Sequence, residues 1–503
     1  MKINIAVIAA LFVAVFGFLT ITGTLTSGYH FTDDHSIITL TNDLKTESVL
    51  SVAVRSIRAD FNIRFRPLYQ VHRIIQARVL GNDFFLWQVW TAILACATFT
   101  FFYLGMRVLR FSVIEALLFI LFTFAGPQMV AWWRLGINET IGMFFLGAAF
   151  YFMVSCEKRY TRNTVLFCLS LSCASWCKES FVITVPAFLV FKLWHENDHF
   201  ALSLRKVFWK NRLLVIPFVV MCFDLWIIFF VVGTNKIGYG PDVSAIAQYV
   251  YKIVVESLPA FAAIVVMPLG FLYFGYRDRK RFAEFLTALI QPLVFALLVL
   301  IPNVILYAKP EMVERYLLPA TMGVAFFLVS LWRMIAVDFR WFSRVWAVIV
   351  IFLVLANPVH NMFDGAMRYA KEGFQTNKLL SAIIQNSNEK SNILLVAIPA
   401  DRYEWSYSLN KYLSLVKNVQ LYVFPINPTD DVYKTDGAKG LSKTWHAWFK
   451  DRKFEDIKGE TDMVIFFDKI LLEPFLKESG IDSAKYFNLL NQNDSCAVYK
   501  KEQ

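Results

Sequence analysis

The sequence predicts a polytopic α-helical membrane protein with about 11 transmembrane helices, N-inside/C-outside, and a small C-terminal extracytoplasmic α/β domain. Two observations carry this prediction. The 503-residue chain is 57% hydrophobic, with 49 Phe and a mean hydropathy of +0.50, whereas soluble chains are about 45–50% apolar. Apolar stretches of membrane-spanning length alternate with short loops, and basic residues concentrate in every second loop.

The N-terminal segment MKINIAVIAALFVAVFGFLTITGTL has one lysine before about 20 apolar residues and no small-residue cleavage site after them. That length crosses a hydrocarbon core, so the segment is predicted to be a retained first helix rather than a removed signal peptide. Further spans follow along the chain. The predicted spans lie near residues 3–22, 84–106, 111–132, 137–155, 163–177, 181–194, 213–233, 258–276, 283–307, 313–332 and 345–363.

The charges that flank these spans predict the orientation. With Lys2 on the inner side, the inner loops carry eighteen basic residues, whereas the short loops on the other side carry five. This bias predicts an inside N-terminus and an outside C-terminus. The net charge of +11 is explained by inner loops that face anionic lipid heads. The lipid bilayer, and not a nucleic acid, is therefore the expected partner of these charges.

The chain is predicted to divide at residue 363. Residues 1–363 form the transmembrane domain, with a long first outer loop at 23–83 in which arginines alternate with apolar residues at helical spacing. In residues 364–503, the runs NILLVAI, DMVIFF and CAVYKK predict strands, whereas YEWSYSLNKYLSLV and KILLEPFLKESG predict helices. This alternation predicts a small α/β domain on the outer side.

Charged residues gather at the predicted outer ends of the helices, where a charge near the bilayer is costly. Solvation, lipid phosphate or a helix dipole explains any single one of them. The convergence of two adjacent acids and several cations predicts a site that activates a hydroxyl and holds a lipid-linked phosphate. The segments are TDDH (32–35), FRPLYQVHR (65–73), WWRLGINET (132–140), WCKES (176–180) and KPEMVERYLLP (309–319).

The same segments resemble the GT-C superfamily of integral membrane glycosyltransferases, which includes protein O-mannosyltransferases and bacterial enzymes that glycosylate lipid A or O-antigen. The resemblance covers most of residues 1–363 and rests on the order of FTDDH, FRPLYQVH, GNDFFLWQVWTAILACATFTFFYLG, CKESFVITVPAFLVF and ERYLLPA. It implies a GT-C-like fold and an inverting sugar transfer. The implied donor is a dolichyl- or undecaprenyl-phosphate sugar, and the acceptor is a hydroxyl on a glycan, a lipid or a protein.

The resemblance also assigns roles to residues. The general base is Asp33 or Asp34, and Asp33 occupies the first position of the family's acidic pair. Lys178, Arg315 and Arg66 would bind the donor phosphate. The remaining predicted substrate-binding residues are His35, Arg134, Glu179 and Tyr316.

No metal or other cofactor is predicted. Some members of the superfamily need Mg²⁺ or Mn²⁺ and others need none. The acidic pair and His35 could ligate one ion, but no further ligand is evident, and the seven Cys form no CxxC or Cys/His metal spacing.

A transporter or flippase of a lipid-linked sugar is the alternative function. It predicts charges at mid-helix and repeated halves, and the sequence shows few such charges and no repeat. An outer-face ligase or acyltransferase would also use a base outside the membrane, and a purely structural protein leaves the acidic pair unexplained. The compact loops favour a multi-pass protein of the bacterial inner membrane whose site faces the periplasm. Its acceptor would then be a cell-envelope glycan such as lipopolysaccharide or O-antigen.

Overall fold

The helices described below belong to a computed structural model of the chain. It describes residues 2–155, 160–196, 212–232, 247, 279–307, 314–338, 359–427, 431–457, 459–490 and 496–502. The α-helices in these ranges are α1 (Lys2–Ile21), α2 (His35–Thr46), α3 (Val49–Phe61), α4 (Pro67–Leu80), α5 (Phe84–Val108), α6 (Val113–Phe124), α7 (Asn138–Val154), α8 (Tyr160–Ser175), α9 (Glu179–Val182), α10 (Val185–Glu196), α11 (Val215–Trp226), α12 (Arg279–Tyr307), α13 (Ala320–Asp338), α14 (His360–Asn386), α15 (Tyr403–Val416), α16 (Asp436–Trp448) and α17 (Leu472–Ser479).

Four helices of the described ranges are long and apolar enough to cross a membrane: Lys2–Ile21, Phe84–Val108, Arg212–Val232 and Ala283–Tyr307. The chain is therefore an integral membrane protein, but the predicted number of eleven spans is not confirmed. Several predicted spans correspond to shorter apolar helices, such as α6, α7 and the first part of α13. The predicted span 258–276 and most of 345–363 lie outside the described residues.

The predicted span 111–132 is interrupted at Gly126. Helix α6 begins with a capping box, in which Ser112 and Glu115 satisfy each other's backbone N–H groups, and it ends at Phe124. Gly126 then has a φ of 129°, which few other residues tolerate, and Pro127 starts a separate 3₁₀ segment that runs to Trp132. The chain reaches the start of α7 through this turn rather than through a continuous helix.

The described chain divides into two compact units. Unit 1 comprises residues 1–25, 53–73 and 88–367, and unit 2 comprises residues 26–52, 74–87 and 368–503. The predicted boundary at residue 363 and the extracytoplasmic location of the second domain stay predictions.

Unit 1 is held together by helices packed through aromatic side chains. Phe119 on α6, Phe150 on α7 and Phe326 on α13 meet with ring centroids 5.7–6.2 Å apart. The side chain of Gly142 on α7 is limited to hydrogen because an added Cβ would lie 2.1 Å from the ring of Phe181. Such close packing is what stabilises helices in a bilayer, where the lipid is as apolar as the side chains.

Unit 2 is built on a five-stranded sheet with the strand order β2-β1-β3-β5-β4. Strand β1 is parallel to β2 and β3, whereas β5 is antiparallel to β3 and β4. All five residues of β1 are buried because apolar clusters cover both faces of the sheet. The strands are β1 (Ile393–Ala397), β2 (Leu421–Pro425), β3 (Met463–Phe466), β4 (Tyr486–Asn488) and β5 (Ala497–Lys501).

Candidate functional site

Three of the predicted binding residues of unit 1 come together around one buried carboxylate. Glu139 lies in the first turn of α7, where the helix dipole favours a negative charge, and it is completely buried. It forms an ion pair with Lys178 through Oε1, and the Nε atom of Arg315 lies 3.6 Å from the same oxygen. Two cations therefore surround one carboxylate.

Two tyrosines cover the cations of this cluster. The Nζ atom of Lys178 lies 4.0 Å from the centroid of the Tyr316 ring and 5.4 Å from that of Tyr307. The two rings stack at 4.6 Å with an angle of 13°. Ring faces carry partial negative charge and so stabilise a cation. We call Glu139, Lys178, Tyr307, Arg315 and Tyr316 the cation cluster.

Members of the cation cluster differ in how far solvent or a substrate can reach them. The side chain of Lys178 is 1% exposed, whereas that of Arg315 is 20% exposed. Burial is the largest influence on Lys178 and, with the neighbouring Arg315, lowers the pKa of its ammonium to about 8 against the opposing charge of Glu139. Arg315 is thus the cation that an incoming anion meets first.

The loop that carries Lys178 is anchored by a carboxylate of the spanning segment. Asp224 on α11 is fully buried, and it accepts hydrogen bonds from the hydroxyl of Ser175 (2.8 Å) and the indole N–H of Trp176 (3.2 Å). The carbonyl of Trp176 in turn accepts from the backbone N–H of Leu68, at the start of α4. These bonds fix the backbone just before Lys178.

The other predicted residues of unit 1 have different surroundings. Arg66 donates two hydrogen bonds to the carboxylate of Asp60, so its charge is already matched. Glu179 is 2% exposed and interacts electrostatically with both Arg66 and Lys178. Arg134 follows the 3₁₀ segment and donates its backbone N–H to Val130. Its binding role stays a prediction.

The predicted acidic pair lies in unit 2, where the two residues differ sharply. Asp34 is fully buried; its Oδ2 accepts the backbone N–H of His30 at 2.9 Å and lies 3.4 Å from the Nδ1 atom of His30. Asp33 is half-buried, has a left-handed φ of 66°, and donates its backbone N–H to Glu404 on α15 at 3.2 Å. Asp34 thus organises the loop, and Asp33 stays accessible.

Further contacts within unit 2 hold this acidic loop in place. His30 stacks on the ring of Tyr369 at 3.7 Å, and its Nε2 lies 3.1 Å from the Tyr369 carbonyl, which can only accept. His35 lies 2.8 Å from the hydroxyl of Ser408 through Nδ1. Asn377 on α14 donates to the carbonyls of the loop. The sequence did not single out His30, although it precedes the acidic pair by three positions.

An apolar cavity of about 560 Å³ lies in unit 1, between α1, α6 and the first turn of α14. Leu11 and Val15 line it from α1, and Leu117 and Leu121 line it from α6. Its lining suits a hydrocarbon chain. Within the described residues, no group of three or more His, Cys, Asp or Glu side chains is arranged to hold a metal ion.

No protein-family model and no curated protein matches the chain. Among solved structures, the chain is similar to ArnT from Cupriavidus metallidurans in the apo state, with a TM-score of 0.50 and 12% sequence identity. The match covers 98% of this chain and 97% of that one. ArnT is a GT-C family 4-amino-4-deoxy-L-arabinose lipid A transferase. The GT-C-like fold that the sequence motifs implied is therefore confirmed.

Proposed function

We propose that the protein transfers a sugar from a polyprenyl-phosphate-linked donor to a hydroxyl acceptor at the outer face of the membrane. The GT-C-like fold, shared with a transferase over nearly the whole chain, is the observation that carries this proposal. The cation cluster, the accessible Asp33 and the apolar cavity add the chemical groups that such a reaction needs. No observation in the described residues favours the alternative of a transporter or flippase.

In the proposed reaction, the acceptor oxygen attacks the anomeric carbon of the donor sugar. The new C–O bond forms on the face opposite the leaving group, so the configuration inverts. The bond between the anomeric carbon and the phosphate oxygen breaks, and polyprenyl phosphate leaves with both electrons of that bond. The acceptor proton passes to a carboxylate, and such general base catalysis contributes about 10²–10⁴-fold to the rate.

Asp33 is the proposed base. Its half-buried position leaves a face for an acceptor, whereas the burial of Asp34 and its bonds to His30 give Asp34 a structural role. The left-handed backbone conformation of Asp33 also supports its assignment as the base, because strained conformations of non-glycine residues are retained at functional sites. The finer assignment within the acidic pair thus favours the first acid.

The donor phosphate is proposed to bind the cation cluster. Arg315 provides the more accessible donor of charge-assisted hydrogen bonds, and Lys178 adds a second positive charge. Charge that develops on the leaving phosphate is stabilised by cations already held in place by Glu139 and the tyrosines. The lipid tail would occupy the apolar cavity of unit 1.

For the location and acceptor we propose a bacterial inner membrane, with the site towards the periplasm, and a cell-envelope glycan such as lipopolysaccharide or O-antigen. These assignments are supported by the bias of basic residues between the loops and by the likeness to a lipid A transferase. No metal is assigned to the reaction.

Release of polyprenyl phosphate by the detergent-purified protein tests the proposal. Wild type, Asp33→Asn and Asp34→Asn are each incubated with a panel of polyprenyl-phosphate sugars and a hydroxyl acceptor extract. We expect Asp33→Asn to lower kcat by about 10²–10⁴-fold with unchanged thermal stability, because asparagine also tolerates a left-handed backbone. Asp34→Asn is expected to lower the melting temperature.

Glu389→Gln is the matched control, since Glu389 is an exposed acid of the same unit outside the site. It should retain the wild-type rate. Normal transfer by both Asp variants would overturn the assignment of the base. Absence of release from every donor by folded wild type would overturn the proposed reaction.

A further inference from the structure

The sheet of unit 2 has a crevice at the carboxyl ends of two parallel strands. The chain leaves β1 to pair β2 on one side and later returns to pair β3 on the other, so the strand order reverses between β1 and β3. In open α/β sheets, the loops after such strands separate and leave space for a ligand. The proposed reaction assigns no role to this crevice.

Two adjoining cavities occupy the crevice, and both lie wholly within unit 2. One of about 290 Å³ is lined by the loop after β1 and the loop after β3. The other, of about 170 Å³, reaches α14 and the acidic loop. Arg402 and Phe467 line both, so the two cavities form one cleft. The residues of this cleft used below are Phe31, Glu372, Asp401, Arg402, Trp405, Tyr433, Phe467 and Asp468.

Arg402 stands at the junction of the two cavities in an unusual conformation. Its φ is 46°, in the left-handed region that is unfavourable for an arginine, and its guanidinium carbon lies 4.2 Å from the centroid of the Trp405 ring. The strain places the arginine side chain over an aromatic ring at the mouth of the cleft. Strained backbone of this kind is concentrated at ligand sites.

The charges of the cleft decide which ligands it suits. The acids that line it, Asp401, Asp468 and Glu372, are all exposed, and Arg402 is the cation among its lining residues. The net charge of −2 disfavours phosphate and other anions. Carboxylates accept hydrogen bonds from hydroxyl groups, and the arginine donates to ring or hydroxyl oxygens.

The aromatic residues of the cleft complete this chemistry. The ring centroid of Phe31 lies 5.7 Å from that of Trp405 and 5.3 Å from that of Phe467, and Tyr433 lines the larger cavity. Phe31 and Phe467 are buried beneath the cleft, whereas the half-buried rings of Trp405 and Tyr433 offer an apolar surface for the C–H face of a sugar ring while the acids bind its hydroxyls. We infer that the cleft binds an uncharged mono- or disaccharide unit.

The cleft adjoins the loop that bears the proposed base. Phe31 belongs to that loop, and Asp33 donates its backbone N–H to Glu404, two positions after Arg402. Resting on the proposed function, the saccharide is the glycan part of the acceptor. Held in the cleft, it would place a neighbouring hydroxyl near Asp33. The cleft residues are then specificity-determining residues for the acceptor.

Direct binding of lipid-free sugars tests this inference. The full chain is placed in phospholipid nanodiscs, because alkyl-glycoside detergents would compete for the cleft. Mono- and disaccharides of glucose, galactose, mannose and N-acetylglucosamine are titrated and followed by saturation-transfer NMR. We expect saturable millimolar binding of at least one of them. The double variant Asp401→Asn/Asp468→Asn and, separately, Trp405→Ala should each weaken it about tenfold.

Asp482→Asn is a closely matched control. Asp468 accepts the backbone N–H of Ile470 at 3.1 Å, and Asp482 makes the same turn with Ala484 at 3.1 Å, outside the cleft. Asparagine preserves both turns, so Asp482→Asn should bind sugar like wild type. The Asp401 and Asp468 side chains are exposed, so their double variant tests the cleft even if Trp405→Ala does not fold.

Failure of this inference is distinguishable from failure of the proposed function. No sugar binding by folded wild type, or binding unaffected by the double variant, would overturn the saccharide cleft whatever the transfer assay shows. Inorganic phosphate that binds in place of sugar with the same residue dependence would overturn it too. Sugar binding without release of polyprenyl phosphate from any donor would support the saccharide cleft but refute the proposed transferase reaction. With both intact, the double variant should raise the acceptor KM about tenfold at an unchanged kcat.

Discussion

Glu139→Gln is expected to destabilise unit 1 by about 3 kcal/mol at pH 7. Removal of one partner from a buried ion pair costs about 3–5 kcal/mol because the other charge stays buried without compensation. Here Glu139 and Lys178 are both almost inaccessible, and Arg315 lies 3.6 Å from the same carboxylate oxygen. The glutamine variant would therefore leave two cations facing each other.

One relaxation limits this cost. The pKa of Lys178 is already lowered to about 8, and loss of Glu139 removes the charge that opposes this lowering. The pKa of the amine would then fall further, and each unit by which it falls makes release of the proton easier by about 1.4 kcal/mol. This release keeps the loss nearer 3 than 5 kcal/mol. In soluble domains of 150–250 residues, 1 kcal/mol corresponds to about 2–4 °C, so we expect a drop of several degrees.

The assay is thermal unfolding in nanodiscs, followed by tryptophan fluorescence, together with the KM for the donor. The matched control is Glu196→Gln on α10, which breaks another buried ion pair, with Lys192, outside the cation cluster. Both variants should melt earlier, but only Glu139→Gln should raise the donor KM. An unchanged melting temperature for Glu139→Gln would refute the reasoning. So would a double variant Glu139→Gln/Lys178→Met whose loss of stability equals the sum of the two single losses, because such additivity means that the residues do not interact.

Three further predictions concern positions around the two clusters. The donor KM should rise above pH about 8, where the buried Lys178 loses its proton, and Lys178→Arg should remove this rise. The unfolded chain keeps this proton to about pH 10.5, so the free energy of unfolding should increase as the pH rises from 8 to 10.5. Gly373→Ala should lower the melting temperature and slow transfer, because the added Cβ would lie 2.5 Å from the Nε2 atom of His30, whereas Gly365→Ala in the same helix meets only ordinary contacts and should not. Asp224→Asn should cost about 1 kcal/mol of stability and raise the donor KM, because an amide oxygen replaces only one of the two carboxylate acceptors. A wild-type KM in this variant would show that Asp224 does not help to position Lys178.

Much of unit 2 could be predicted from local pattern. The apolar runs NILLVAI, DMVIFF and CAVYKK coincide with β1, β3 and β5, and α15 covers the quoted helical segment YEWSYSLNKYLSLV from end to end. Strands β2 and β4 were missed, since one ends in proline and the other is three residues long. Short strands are specified by their neighbours in the sheet rather than by their own sequence.

The cation cluster shows where sequence reasoning stops. Lys178 and Arg315 were predicted to bind the donor phosphate and Tyr316 to bind substrate, and the structure brings these three residues together. The partner at their centre, Glu139, looked like an ordinary first-turn acid, and its pairing with a residue 39 positions away has no local signal. Arg66 donates hydrogen bonds to Asp60 six positions earlier, and its predicted contact with the donor phosphate stays a prediction. That pairing could have been suspected from the proximity of the two residues in the sequence.

Unit 2 is formed by segments that are far apart in the sequence, and this has a consequence for its synthesis. Its first segment, residues 26–52, leaves the ribosome early, yet the partners of the acidic loop arrive roughly 350 positions later: Asn377 bonds the carbonyl of Ser27, and Ser408 bonds that of Phe31. Contacts of such long sequence separation form late in folding. The nascent acidic loop must therefore wait, with Tyr29 and Phe31 still uncovered, until the last quarter of the chain is translated, and any truncation before α14 would leave it a target for quality-control proteases.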